Sequence, residues 1–247
     1  MRIGASAGLY HDRLDGLPPA FEFVELSIGE GERPVDEIDI NELRECLTDA
    51  GLGLAVHLPY RQPLATSVPV VDSATATYLT ELLDVAAAGA EQAVAHPRTR
   101  SVDPTSATVV DRLSALATAG RERDVTVCFE TTGYAGGPAL EHVGDLAVRA
   151  DAAVCLDLGY AYLEAGTDGV ESFLASYADV VEHLHVHGVR HRNDTHIPIG
   201  SGHLPLGDLG PTLAETVGET TTTIEVFTDD ATHLEDSRRR VRSAVGP

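Results

Sequence analysis

The feature that most constrains this chain is a recurrence: short apolar runs rich in β-formers alternate with amphipathic stretches bounded by Gly, Pro and Asp. Strand patterns fall at 2–6, 21–27, 54–59, 92–96, 125–130, 153–158, 181–187 and 222–227. Helical patterns fall at 35–50, 73–89, 104–120, 138–150, 170–179, 210–217 and 233–245. The first connection, 7–20, is too rich in glycine and proline for a long helix. Strands separated by helices pair in parallel through right-handed crossovers. Eight such units in 247 residues predict an α/β fold, a single (β/α)8 TIM barrel with a parallel eight-stranded core. An open doubly wound sheet is the alternative, but no GxGxxG follows the first strand. With no internal repeat and no linker, one domain over 1–247 is the simplest account.

Three cysteines, Cys46, Cys128 and Cys155, show no CxxC spacing. They suit a reducing compartment and argue against both a disulfide framework and a thiolate metal site. A metal is therefore expected on nitrogen and oxygen. No apolar run approaches membrane-spanning length, and the opening MRIGASAGLYHDRL lacks a basic region followed by a long apolar segment. The expectation is a soluble cytoplasmic protein with no membrane contact.

Net charge is −22, and all seventeen basic residues are arginine. Such a surface repels nucleic acid and anionic membranes at ordinary ionic strength. In molar salt the Debye length shrinks to about 3 Å and self-repulsion of this size is tolerated. That points to a salt-rich, halophilic cytoplasm and weakens the charge argument against nucleic acid, although a GC-rich codon bias also depletes lysine. Without lysine, neither a lysine Schiff base nor a lysine general base is available.

Polar residues recur at one place in the repeating unit, the C-terminal end of the strand. The third strand ends AVHLPY with His57, the fourth AVAHP with His96, and the fifth VCFE with Glu130. The sixth ends VCLD with Asp157, the seventh HLHVH with His185 and His187, and the eighth TIEVF with Glu225. In a parallel barrel these ends share one rim, where active sites of the fold lie. A carboxylate inside an apolar strand is costly to bury unless paired or metal-bound, which singles out Glu130, Asp157 and Glu225. Each alone is equally well a helix cap or an ion-pair partner; the convergence of six consecutive strands is what points to a site. By parity Cys128 and Cys155, two residues before Glu130 and Asp157, share their strand faces and fill the barrel one layer down as small core residues.

The densest stretch is 181–202, VEHLHVHGVRHRNDTHIPIGSG, with five of the eleven histidines. It starts as a strand with His183, His185 and His187 on one face, runs through a polar segment with Asp194 and His196, and closes on a Pro- and Gly-rich turn. Imidazoles at a strand end followed by Asp-x-His suit Zn²⁺, or Mn²⁺ with more oxygen ligands.

In order along the chain, CFETTG, CLDLGYAYL, HLHVHG, DTHIPIGSG and IEVF resemble the xylose isomerase-like barrel superfamily. That family groups sugar and sugar-phosphate isomerases and epimerases with the endonuclease IV type of DNA repair enzyme. In its epimerase branch one divalent cation is held by Glu, Asp, His and Glu from successive strands, which implies Glu130, Asp157, His185 and Glu225 here. In its endonuclease branch three zinc ions also use residues that correspond to His57, His96, Asp194 and His196, and a histidine three positions after the strand-six aspartate. That last position is Tyr160, which removes one expected ligand of the third zinc and one histidine that epimerases place beside substrate.

The resemblance implies a divalent-metal-dependent (Mn, Zn, Co or Mg) isomerase or epimerase of a sugar or sugar phosphate. Glu130 and Glu225 would exchange protons across a metal-stabilised enediolate. His57, Tyr60, His96 and Arg98 would bind substrate oxygens or a phosphate, with Tyr160 and His187 beside them. The alternative is an endonuclease IV-like zinc phosphodiesterase acting on abasic DNA. Tyr160, the short loops and the shortage of basic and aromatic residues disfavour nucleic acid as partner. A small molecule is the expected partner, and the sequence is compatible with a homo-oligomer.

Overall fold

The structure, a computed structural model, describes residues 1–8, 16–191 and 194–246. Eight parallel strands form a closed barrel: β1 (Arg2–Gly8), β2 (Phe23–Ser27), β3 (Gly53–His57), β4 (Ala90–Ala95), β5 (Thr126–Glu130), β6 (Ala153–Asp157), β7 (Val181–Val186) and β8 (Thr221–Ile224). Each strand pairs with its neighbour in sequence, and β8 closes on β1 through Arg2 opposite Thr221 to Ala5 opposite Ile224. This is the expected (β/α)8 TIM barrel. Its helices are α1 (Ile40–Ala50), α2 (Pro69–Ala86), α3 (Ala107–Arg121), α4 (Leu140–Ala150), α5 (Leu158–Tyr177), α6 (Leu206–Val217) and α7 (Ala231–Val245). The expectation for 7–20 falls largely on 9–15, outside the described residues.

Local chemistry explains most helix ends. Asp39 caps α1 by accepting from the N–H groups of Asn41 and Glu42, and Gly51 ends it in the left-handed conformation at φ 67°. The largest departure from the sequence reading is α5, which starts at Leu158 and not near 170. Asp157 caps it directly, accepting from Tyr160 N–H, while Gly166 at φ 68°, ψ −173° breaks the helical path midway. The periodicity at 170–179 therefore marks only the second half of a kinked helix.

Side chains facing out from the barrel are apolar and pack under the helices. Leu26, Val56, Leu82, Leu113 and Phe129 belong to one such cluster, and Ile3, Leu156, Leu174, Leu184 and Ile224 to a second. At about 1.5–3 kcal/mol per buried aliphatic side chain, this shell stabilises the barrel and leaves its lumen free to hold polar groups. Near the bottom of the lumen Gly4 leaves room for Phe23, whose ring lies 2.5 Å from where a Cβ would stand. No helix among the described residues is long and apolar enough to cross a membrane.

Two small pairings sit outside the barrel. Ala65–Thr66 pairs with Thr99–Arg100, and Gly188–Arg190 pairs antiparallel with Asp194–Ile197. The second folds the polar segment after β7 back on itself and returns His196 to the rim.

Candidate functional site

Strand parity turns the ends of β5, β6 and β7, and the residue just after β8, into the lumen. There the ligand atoms of Glu130, Asp157, His185 and Glu225 all lie within 4.8 Å of one another. Asp157 and His185 are fully buried, Glu130 nearly so, and Glu225 is 8% exposed. His185 Nδ1 stands 3.3 Å from Glu130 Oε1 and 3.2 Å from Glu225 Oε2. That Glu225 oxygen is buried and makes no hydrogen bond of good geometry among the described residues. That oxygen also lies 3.3 Å from His196 Nε2. Three carboxylates and an imidazole with converging ligand atoms form a donor set that fits a divalent cation.

Two further groups flank this one and share its members. His57 Nε2 and His96 Nε2 approach Glu130 Oε2 at 3.3 and 2.6 Å, making a group of three. On the other side Asp157, His187, His196 and Glu225 form a group of four. Asp157 works in several directions: Oδ1 caps α5 at 2.7 Å from Tyr160 N, Oδ2 accepts from His187 Nε2 at 3.1 Å, and its own N–H donates to Thr131. His187 Nδ1 accepts from His196 N–H at 3.1 Å, and its ring needs Gly159, where a Cβ would stand 2.3 Å away. The glycine of DLGY is thus a packing requirement of a histidine on the neighbouring strand's end.

Charge balance in the group shifts its protons. Burial works to raise the Glu130 and Glu225 carboxyls, but the charges of His96 on the first and of His196 and His185 on the second hold both well below the usual range. Burial likewise opposes the charged forms of His57 and His187, yet Glu130 and Asp157 raise them to about 9. Burial, helped by the negative Asp157 and Glu225, pushes the Tyr160 hydroxyl up, so it stays protonated.

These groups open into a cavity of about 690 Å³. Its wall includes Ser6, Ser27, Glu32, Tyr60, Tyr160, Phe227 and Asp229. Tyr160 meets His187 and His196 edge-on, and Phe227 stacks on His196 at 4.3 Å. His196 holds φ 56°, an uncommon conformation for a non-glycine residue. Not every candidate joins the group. Asp194 pairs with Arg190 across the hairpin, half exposed, and stands outside the ligand clusters of the described residues. Arg98 gives its carbonyl to Leu64 N–H, and no arginine is among the described residues lining the cavity.

One buried residue escapes the sequence reading. Glu25 of β2 is 1% exposed, and its Oε2 lies 3.1 Å from His183 Nε2, 3.1 Å from His185 Nε2 and 2.8 Å from Thr223 Oγ1. Burial works against its charge, but His185 and His183 hold its carboxyl far below the usual range. A signal is present: FVELS is a carboxylate inside an apolar strand, the same pattern that singles out Glu130.

The model of the xylose isomerase-like TIM barrel family matches residues 20–244. No curated protein matches the sequence. Among solved structures, a D-psicose 3-epimerase determined in the presence of D-fructose superposes with TM-score 0.82 at 14% identity, covering 100% of both chains. A 3-keto-D-glucoside 4-epimerase from E. coli gives 0.75 at 16% identity, covering 98% of this chain and 99% of that one. A protein from Thermus thermophilus, soaked with ZnCl2, gives 0.75 at 23%, covering 97% and 98%. At these identities the superpositions speak for the fold, and the family match, extending over most of the barrel, carries the assignment: the chain belongs to the xylose isomerase-like TIM barrel family.

Proposed function

We propose that this protein is a divalent-metal-dependent sugar isomerase or epimerase. The observation that carries the reading is the pair Glu130 and Glu225, three strands apart, which flank His185 at 3.3 and 3.2 Å and share one cluster with Asp157. When bound there, a divalent cation (Mn, Zn, Co or Mg) would hold the carbonyl and neighbouring hydroxyl oxygens of a sugar and offset the charge of the enediolate. Glu130 and Glu225 approach such a substrate from opposite sides. Ionised, either can take the proton from the carbon beside the carbonyl, and the other, once protonated, returns one to the opposite face. His57 and His96 both hold Glu130 Oε2, which leaves Oε1 directed at the reacting centre. Tyr60, Tyr160 and His196 offer hydrogen bonds to sugar hydroxyls.

The cavity wall favours an unphosphorylated sugar over a sugar phosphate. Glu32 and Asp229 line it, no arginine does among the described residues, and a phosphate there would meet net negative charge. The relatives' names agree in kind, being enzymes of psicose and of a keto-glucoside.

The test is solvent-deuterium exchange into a panel of free ketohexoses in the presence of each metal. The wild type should incorporate deuterium beside the carbonyl, and Glu130→Gln and Glu225→Gln should each lose about 10²–10⁴-fold in rate. Retention of exchange by both variants would sink the mechanism.

A second reading, a multinuclear zinc phosphodiesterase, is favoured by the two flanking ligand groups alone. Tyr160 in place of a ligand and Asp194 turned to Arg190 weigh against it. Two or three zinc equivalents per chain together with cleavage of an abasic oligonucleotide would establish it.

A further inference from the structure

We infer that Glu25 is the positioning residue of the metal centre: it fixes the ring orientation and tautomer of His185, so that the metal is taken by Nδ1. The inference rests on the metal-dependent reading above. A neutral imidazole has one N–H and one lone pair, and the hydrogen bond made by the first decides where the second points. His185 Nε2 lies 3.1 Å from Glu25 Oε2, so its proton is donated downward to that carboxylate. Its Nδ1 faces Glu130 Oε1 and Glu225 Oε2 at 3.3 and 3.2 Å and, with Nε2–H fixed on Glu25, is the nitrogen left for a cation. The reverse tautomer would set a lone pair against a buried anion and an N–H into the cation position.

Glu25 is itself held. Thr223 Oγ1 donates to Oε2 at 2.8 Å, and His183 Nε2 reaches the same oxygen at 3.1 Å. His183 is turned by Thr221, whose hydroxyl lies 2.6 Å from Nδ1 and 2.5 Å from Gln92 Oε1. Thr221 and Thr223 belong to β8, the strand that leads into Glu225. A carboxylate behind a metal-bound histidine both orients the ring and raises its basicity, and its loss typically costs about 10–100-fold in metal affinity. Glu25 touches neither the cation position nor the cavity, so its effect passes through His185.

Two measurements on the full chain test this. Zinc and cobalt affinities are determined by chelator competition for wild type, Glu25→Gln and Thr223→Val, with the visible spectrum of the cobalt form as readout of ligand geometry. Glu25→Gln should weaken both metals about 10–100-fold and shift the cobalt bands, and Thr223→Val should do the same to a smaller degree. Unchanged affinity and spectrum in a folded Glu25→Gln variant would overturn the inference.

The second measurement needs no variant to fold. Histidine ¹⁵N chemical shifts of the wild type, recorded without and with zinc, should show His185 protonated at Nε2 in both states and zinc-shifted at Nδ1. Zinc on Nε2, or a zinc-loaded His185 whose proton sits on Nδ1, would overturn it. A wild type that binds no metal yet keeps the proton on Nε2 toward Glu25 would refute the proposed function and leave the positioning by Glu25 standing.

Discussion

The barrel lumen holds buried carboxylates and imidazoles in two layers, and the layers differ in how their donors and acceptors balance. In the lower layer Glu25, His183, Thr221 and Thr223 satisfy one another, hydroxyls and imidazole N–H groups answering the carboxylate within a buried space. In the upper layer three carboxylates converge with few hydroxyls between them, and one oxygen of Glu225 meets the imidazoles of His185 and His196 without a hydrogen bond of good geometry. One carboxylate sits among hydroxyls and an imidazole below and three sit together above, so donor balance differs sharply. A carboxylate with enough donors is a structural strut, whereas carboxylates short of donors are a demand for positive charge. His185 belongs to both, with one ring nitrogen in each.

The largest expected effect lies in the lower layer. Glu25→Ala removes the acceptor of two imidazoles and a hydroxyl that have no access to water, and breaking such a buried pair costs about 3–5 kcal/mol. Urea unfolding of the chelated protein should show that loss, while Glu225→Ala, nearer the cavity, should cost less. Equal losses would erase the distinction between layers.

Next in size is the response to metal, which belongs to the upper layer. Adding cation to chelated protein at about a hundred times its dissociation constant should raise unfolding free energy by about 2.7 kcal/mol. Asp157→Asn or Glu225→Gln should diminish this gain, measured by thermal unfolding with and without chelator. A gain that persists undiminished in both would place the cation elsewhere.

Without metal, the upper layer must find its positive charge in protonated histidines, and pH reveals this. His57 and His187 stand at about 9 in the folded chain against 6.5 for the free group. A raised folded value contributes stability that is complete below about pH 6.5 and is lost as pH rises through about 9. The chelated protein should therefore lose stability over that interval, and the metal-loaded protein should lose less, the cation having replaced the protons. Parallel pH curves for the two forms would contradict the account.

The sequence showed the upper layer more readily than the lower, for a physical reason. Glu130, Asp157 and Glu225 stand at strand ends, where periodicity stops and a buried charge is conspicuous. The barrel was legible for the same reason, since apolar runs facing the helices repeat eight times. Glu25 sits mid-strand in FVELS, and its partners come from β7 and β8, 158 to 198 residues away, so nothing local marks what it pairs with. The hairpin after β7 was equally hidden: its pairing of Gly188 with Ile197 sends Asp194 outward to Arg190 and brings His196 inward. An Asp-x-His spacing cannot show that its two side chains part company. In the same way the start of α5 depends on Asp157 acting as a cap through Oδ1, while Oδ2 meets His187, and the sequence shows neither partner.

The smallest expected effect tests the boundary between the layers. Cys155, His183 and His185 have ligand atoms close enough for a soft metal to bridge, which would make the lower layer a second site. Burial pushes the Cys155 thiol well above its ordinary value of 9.0, so the thiolate a metal needs is disfavoured, and Glu25 already occupies both imidazoles. Cys155 packs beside Val94 and Cys128 as a small apolar filler. Cys155→Ala should therefore cost only about 1 kcal/mol, the order expected for a small buried truncation, and leave metal content per chain unchanged by elemental analysis. Loss of one equivalent would show that the lower layer also binds metal, and the separation of strut from cation site would fail at the residue that lies between them.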